Sequence, residues 1–294
     1  AGTVVMALAT STSFRGGKKS TSHSLSASVV AGTGSDMQRD YAWHAARYLA
    51  DVESAADIGT RAGQRAINRL HPIKLASGQM PILFDPRVSS TLLGHLVGAI
   101  TGSAIARGTS FLKDKLGQAI LPAGLSIIDD PLRRRGLRSR AFDGEGLAAQ
   151  RTAIIEHGVL TGWLMDVASA RQLGLAPTGH ASRGTSGPPG AGTTNLHLEG
   201  GTATPAELMA DIKQGILVTE LIGMGVNGLT GDYSRGASGY LIENGEITRP
   251  VAEITIAGNL IDMYARMIAA NDLAFRHASN APTLRIVGMM VAGS

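Results

Sequence analysis

The feature that most constrains this chain is the run Thr91 to Arg107, TLLGHLVGAITGSAIAR. Leu92, Leu93, Leu96, Val97, Ile100 and Ala104 fall on one broad face at helical spacing, which predicts a buried helix. Gly94, Gly98 and Gly102 recur every fourth residue and leave one stripe of that helix without side chains. A glycine inside a helix costs roughly 1 kcal/mol relative to alanine, so three in register predict a second backbone packed closely against the stripe. A bilayer span needs about 20 apolar residues. This run is shorter and carries His95, so the sequence implies a packing element and no membrane span.

The flanking segments predict a strand-rich α+β protein. Gly2 to Thr10 and His23 to Ala31 read as a hairpin, with Lys18 and Lys19 as solvated charges of its turn. Asp40 to Ala50 reads as a loosely amphipathic helix, and Asp51 to Leu70 as a helix whose acidic residues come early and basic ones late. Met80 to Phe84 is a buried strand, and Phe111 to Leu116 a solvated helical tail. Leu125 to Asp130, the two arms of Arg151 to Trp163, Tyr240 to Thr248 around Asn244-Gly245, Val251 to Ala257 and Thr283 to Val291 supply further strands. Asp166 to Leu173, Pro205 to Gly215 (Thr204 as N-cap, Gly215 as C-cap) and Leu260 to Asn271 supply helices. With 294 residues and 44% apolar content there is material for one large or two modest cores.

Chemical motifs are sparse. Gly223-Met224-Gly225-Val226-Asn227-Gly228 matches G-x-G-x-x-G, yet a glycine-rich, strand-like sequence follows it where a dinucleotide site needs a helix. There is no cysteine, hence no disulfide and no thiolate chemistry, which fits a reducing compartment. None of the eight histidines has a partner at ligand spacing, and His44 and His71 read as structural. Arg133 to Arg140 is the one basic cluster. It reads as a solvated loop or a contact for an acidic surface, and without interleaved aromatics direct nucleic-acid binding is not expected. The loop Pro177 to Gly201 is long enough to carry function, so Arg183, Thr194 and Asn195 are groove or interface candidates. Asp232, Tyr233, Arg235 and Ser238 crowd between glycines, either as a turn network with an Asp232–Arg235 pair or as contacts for a peptide or partner chain.

Four stretches together resemble the TldD/PmbA family, in its PmbA (TldE) branch. They are LLGHLVGAITGSAIARGTSFL, GHASRGTSGPPGAGTTNLHLEGG, the long block GMGVNGLTGDYSRGASGYLIENGEITRPVAEITIAGN and the terminal APTLRIVGMMVAG. The resemblance extends from about Leu25 onward. It implies that residues 1–75 are the remainder of an N-terminal α/β domain in a chain truncated at its start, and that residues 76–294 are a β-rich, largely antiparallel C-terminal domain holding the glycine-striped helix.

In the TldD branch this helix carries HExxxH, two zinc-binding histidines with a glutamate base beside the first. Aligned on the family pattern, Gly94 and Ala99 stand at the histidine positions and His95 at the glutamate. Starting the motif at His95 instead places Leu96 at the glutamate and Ile100 at the second histidine. Either register leaves at most one ligand, so no metal, cofactor or catalytic residue is expected in this chain. The resemblance implies a cytoplasmic, non-catalytic subunit, paired with a zinc-bearing TldD-like homologue or with itself, that helps to admit unfolded peptide. Peptide maturation and an indirect modulation of DNA gyrase belong to the same expectation. A non-enzymatic homodimer that binds peptide or protein is the alternative.

Overall fold

The structure is a computed structural model, and it describes residues 1–293. Strands β1 (Gly2–Ala9), β2 (Arg15–Ala31) and β3 (Gln38–Ala46) form an antiparallel sheet in that order. The predicted first hairpin is present, but β2 begins at Arg15, so Lys18 and Lys19 lie within the strand, opposite Met6 and Val5. The segment read as a loose helix from Asp40 is strand β3. Its inward positions Asp40, Ala42 and Ala46 alternate at period two, a pattern weak to read because two are alanines and one is charged. Helix α1 (Ala55–Asn68) starts where the Ser54 hydroxyl accepts from the Asp57 amide, and packs Ile58 and Ala62 against this sheet.

The rest of the chain builds two large sheets around a helix, with one further two-stranded sheet. Strand β4 (Gly78–Phe84) leads into α2 (Pro86–Ala99), which is capped by Asp85 and followed by the short α3 (Gly102–Ala106). Next come β5 (Ile127–Asp129), β6 (Thr152–Glu156), β7 (Val159–Leu160), α4 (Val167–Leu173), β8 (Ala181–Ser182), β9 (Gly190–Ala191), β10 (Leu196–Leu198) and α5 (Pro205–Met209). The chain ends with β11 (Gln214–Ile222), β12 (Asp232–Glu243), β13 (Glu246–Asn259), α6 (Leu260–Ala265), β14 (Ile268–Ala269), β15 (Ser279–Asn280) and β16 (Leu284–Ala292). One sheet runs β13-β12-β11-β4-β16-β14, and a further pairing of β13 with β16 curls it shut. The other runs β15-β10-β5-β6-β7. Only β4–β11 and β10–β15 are parallel among the strand pairs of these two sheets. The architecture is therefore α+β, strand-rich and largely antiparallel.

Helix α2 packs against strands of both sheets and supplies Leu92, Leu93, Leu96 and Ala99 to the large core. It departs from expectation in three ways. It begins at Pro86, because Asp85 caps the helix and proline suits its first turn. It stops at Ala99, and Thr101 caps a separate helix whose hydroxyl accepts from the Ala104 amide. The stripe does not receive a second backbone: Gly94 and Gly98 are exposed, with no heavy atom within 4 Å of where a Cβ would stand. Gly102 alone is tight, and what crowds it are the side chains of Met165 and Ser169.

Other boundaries differ for similar reasons. Residues 111–116 are turns around fully buried Leu112, not a helical tail. Gly215 lies in β11, where a side chain would meet the Pro81 carbonyl, and so does not cap α5. The predicted last helix ends at Ala265, and the chain turns into β14. Both Asn244 and Gly245 adopt positive φ at the β12–β13 turn, as the Asn-Gly pair requires.

Candidate functional site

The site grows from α2 and from the parity of β12. Alternate residues of a strand share a face, so Tyr233 and Arg235 point inward while Asp232 and Ser234 face solvent. His95 stands beside this pair, its ring edge-on to Tyr233 at 6.0 Å between centroids. Tyr264 fixes the helix opposite them by donating its hydroxyl to the Leu92 carbonyl at 2.8 Å. His95 Nε2, the Tyr233 hydroxyl and Arg235 Nε are buried and have no partner among the described residues. Burial first, and then the Arg235 charge, hold the His95 imidazole below its ordinary value. Burial pushes the Tyr233 phenol up, with the Arg235 charge opposing. At neutral pH the group is a neutral imidazole, a phenol and a guanidinium: donors for an incoming acceptor, without a carboxylate of their own.

This donor set does not fit zinc. One imidazole is present, Gly94, Leu96, Ala99 and Ile100 offer no ligand atom, and no three His, Cys, Asp or Glu side chains converge on a common point among the described residues.

The other sequence-predicted residues are dispersed. Asp232 does not pair with Arg235, because residues three apart on a strand face opposite ways. It accepts instead from Thr230 at 2.6 Å and Asn259 at 3.1 Å. Ser238 is buried and joins Glu220 to Arg69, which also reaches Asp40 and so ties α1 to the large sheet. Thr194 donates its amide and hydroxyl to Asp129. The Asn195 amide group bridges Asp130, Ser139 and Arg138. Arg183 is exposed on its loop. The basic cluster is largely committed within the chain: Arg133 stacks on Phe275, Arg135 pairs with Asp51, Arg140 donates to the Ala181 carbonyl, and Arg47 clasps the Gly136 and Leu137 carbonyls.

Two features had no local signal in the sequence. Asp129 Oδ2 and His180 Nε2 meet 3.6 Å apart in the interior although the residues are far apart along the chain. A groove of about 970 Å³ opens between the first sheet and the rest, lined in part by Trp43, Arg65, Arg87, Arg138 and Arg276.

The buried histidines set a pH dependence. His197, packed edge-on to Phe275, is held below its ordinary value chiefly by burial, as are His180 and His277. A histidine that the fold keeps neutral takes up its proton only on unfolding, so its contribution is fully present above the unfolded value of about 6.5 and is lost as pH falls below it. Asp129 and Glu145, raised by burial, act in the opposite sense, and their contributions fade as pH rises. Replacement of His197 by glutamine isolates the imidazole. Denaturant titrations at pH 7 and 5.5 should show the wild type losing more stability than His197→Gln, by on the order of 1 kcal/mol. Equal losses would mean that His197 titrates alike in both states.

The family model for the PmbA/TldA metallopeptidase C-terminal domain matches residues 77–293, and that for the PmbA/TldA metallopeptidase central domain matches residues 1–70. The metalloprotease PmbA of Escherichia coli O157:H7 is 42% identical over 93% of this chain, and a PmbA homologue of Haemophilus influenzae is 39% identical over 90%. The chain spans 59% and 56% of those two relatives. A crystal structure described as a modulator of DNA gyrase from Bacteroides thetaiotaomicron superposes with a TM-score of 0.87 at 34% identity, covering 97% of this chain and 63% of that one. TldE from Thermococcus kodakarensis shares the fold at a TM-score of 0.86 and 23% identity, covering 96% and 65%. With family models over both segments and relatives at this identity, the chain belongs to the TldD/PmbA metallopeptidase family.

Proposed function

We propose that this chain is a non-catalytic, PmbA/TldE-like subunit of a cytoplasmic metallopeptidase that acts on unfolded peptides, with a zinc-bearing TldD-like homologue supplying the hydrolytic centre. The observation that carries this reading is the content of α2: where that homologue would need two histidines and a glutamate, this chain has Gly94, His95, Leu96 and Ala99 on the helix and Ile100 at its C-cap. An acyl-transfer centre of another kind has little to build on, since the one polar group at that position joins His95 to a phenol and a guanidinium. What the chain offers is surface. Ile222, Met224 and Leu229 are 61%, 85% and 60% exposed around one loop, an apolar projection typical of surfaces that meet a partner.

The open stripe at Gly94 and Gly98 favours a second reading, a homodimer in which another copy lays its backbone there. Co-expression with an HExxxH-bearing homologue, followed by native mass spectrometry, separates the two. A one-to-one complex of unlike chains is expected. A homodimer that persists beside an excess of the homologue contradicts the proposal.

A further inference from the structure

We infer that His95, Tyr233 and Arg235 form a carboxylate-binding site whose ligand is the C-terminus of a peptide. The inference takes from the preceding section only the idea that peptide is what this protein meets. Its main support is Arg235. The residue is 9% exposed, its Nε is buried without a partner, and its terminal guanidinium nitrogens, which reach solvent, make no hydrogen bond or ion pair among the described residues. A cation removed from water is ordinarily paired or hydrogen-bonded, because desolvation costs several kcal/mol. The other inward-lying arginines here obey that rule. Arg69 meets Asp40 and Glu220, Arg87 meets Asp40, Arg285 meets Asp211, and Arg140 reaches a carbonyl. Apart from Arg69, which leaves none, each of those arginines leaves a buried nitrogen or two unpartnered but has at least one anchor. Arg235 has no anchor, and it is accompanied by the phenol of Tyr233, 1% exposed and equally without a partner, and by His95 Nε2.

The three groups suit one ligand. Arg235 and Tyr233 donate N–H and O–H, and the imidazole can place its proton on Nε2, so all three can donate to the two oxygens of one carboxylate. A single cation matches a single negative charge, which favours a carboxylate over a phosphate dianion. Access is open on the α2 side, where Gly94 and Gly98 are exposed and nothing occupies their Cβ positions. A helix surface without side chains admits the main chain that leads to a terminal carboxylate.

Isothermal titration of the protein in its native assembly, using N-acetyl-Ala-Ala with a free carboxylate and its C-terminal amide, tests this. The acid should bind at least tenfold more tightly than the amide and should shift the His95 imidazole resonances. Arg235→Gln should abolish the difference, and Tyr233→Phe should reduce it about threefold. Should Arg235→Gln fail to fold, the acid-to-amide ratio on the unaltered protein decides alone. Equal affinities would overturn the inference, as would a crystal structure of the assembly with a neighbouring chain's carboxylate seated on Arg235. Cleavage of peptide by this chain alone would defeat the non-catalytic reading and leave the carboxylate site standing.

Discussion

Replacing Gly239 with alanine is expected to destabilise the protein by about 3 kcal/mol, at the upper end of what overpacking costs. Gly239 is buried in β12, at a break in register with both of its neighbours: the pairing shifts between Val218 and Glu220 on β11, and between Ala237 and Gly239 on β12. An added Cβ would stand 1.9 Å from the Leu217 carbonyl oxygen. That oxygen belongs to the adjacent strand, so it cannot swing aside like a side chain. Either β11 and β12 separate or the bulge is lost, and both displace the segment that carries Tyr233 and Arg235. Thermal or denaturant unfolding measures the loss. A decrease below 1 kcal/mol would mean that the strands relax freely around position 239. Alanine at Gly94, where nothing stands within 4 Å, should instead be tolerated and should slightly favour the helix.

Asp129→Ala should cost a similar amount, about 3 kcal/mol. Asp129 is 1% exposed, and its Oδ1 accepts both the amide and the hydroxyl of Thr194, at 2.7 and 2.9 Å. Alanine would leave both Thr194 donors unpartnered in the interior and remove the carboxylate facing His180 Nε2, whose Nδ1 keeps the Thr178 hydroxyl. Burial is the leading influence on each member of the pair, raising the Asp129 carboxyl and lowering the His180 imidazole, so the fold leans toward their neutral forms. Asp129→Asn keeps an acceptor for Thr194 without the charge, and should therefore retain most of the stability that alanine loses. If asparagine proves as costly as alanine, the carboxylate charge itself holds this corner together.

The two substitutions bear on what a sequence can reveal. Apolar periodicity is readable: β4, the Asn244-Gly245 hairpin and the terminal strand stand where the pattern puts them, whereas α1, expected from Asp51, begins only at Ala55 because Ser54 caps it. Strand β3 reads as a helix because Asp40, Ala42 and Ala46 carry its buried face with little hydrophobic contrast. The apolar pattern places helix α2 too late and makes it too long, since the apolar run continues through Ile100 while the break depends on the cap at Thr101. Of the site, His95, Tyr233 and Arg235 were named individually, and the parity of β12 could have separated Arg235 from Asp232 in advance. Their meeting could not be read, because it depends on the large sheet curling around α2. The same holds for Asp129 and His180, which no spacing connects.

Metal content and peptide hydrolysis, measured on this chain alone and after assembly with an HExxxH-bearing homologue, test the central claim most directly. The chain alone should retain no stoichiometric zinc and leave an unfolded peptide intact. The assembled pair should hold zinc and cleave, lose activity when the homologue's glutamate is changed to glutamine, and keep its zinc when His95 here is changed to alanine. One tightly held zinc per chain in the isolated protein, with peptide cleavage abolished by His95→Ala, would contradict the account.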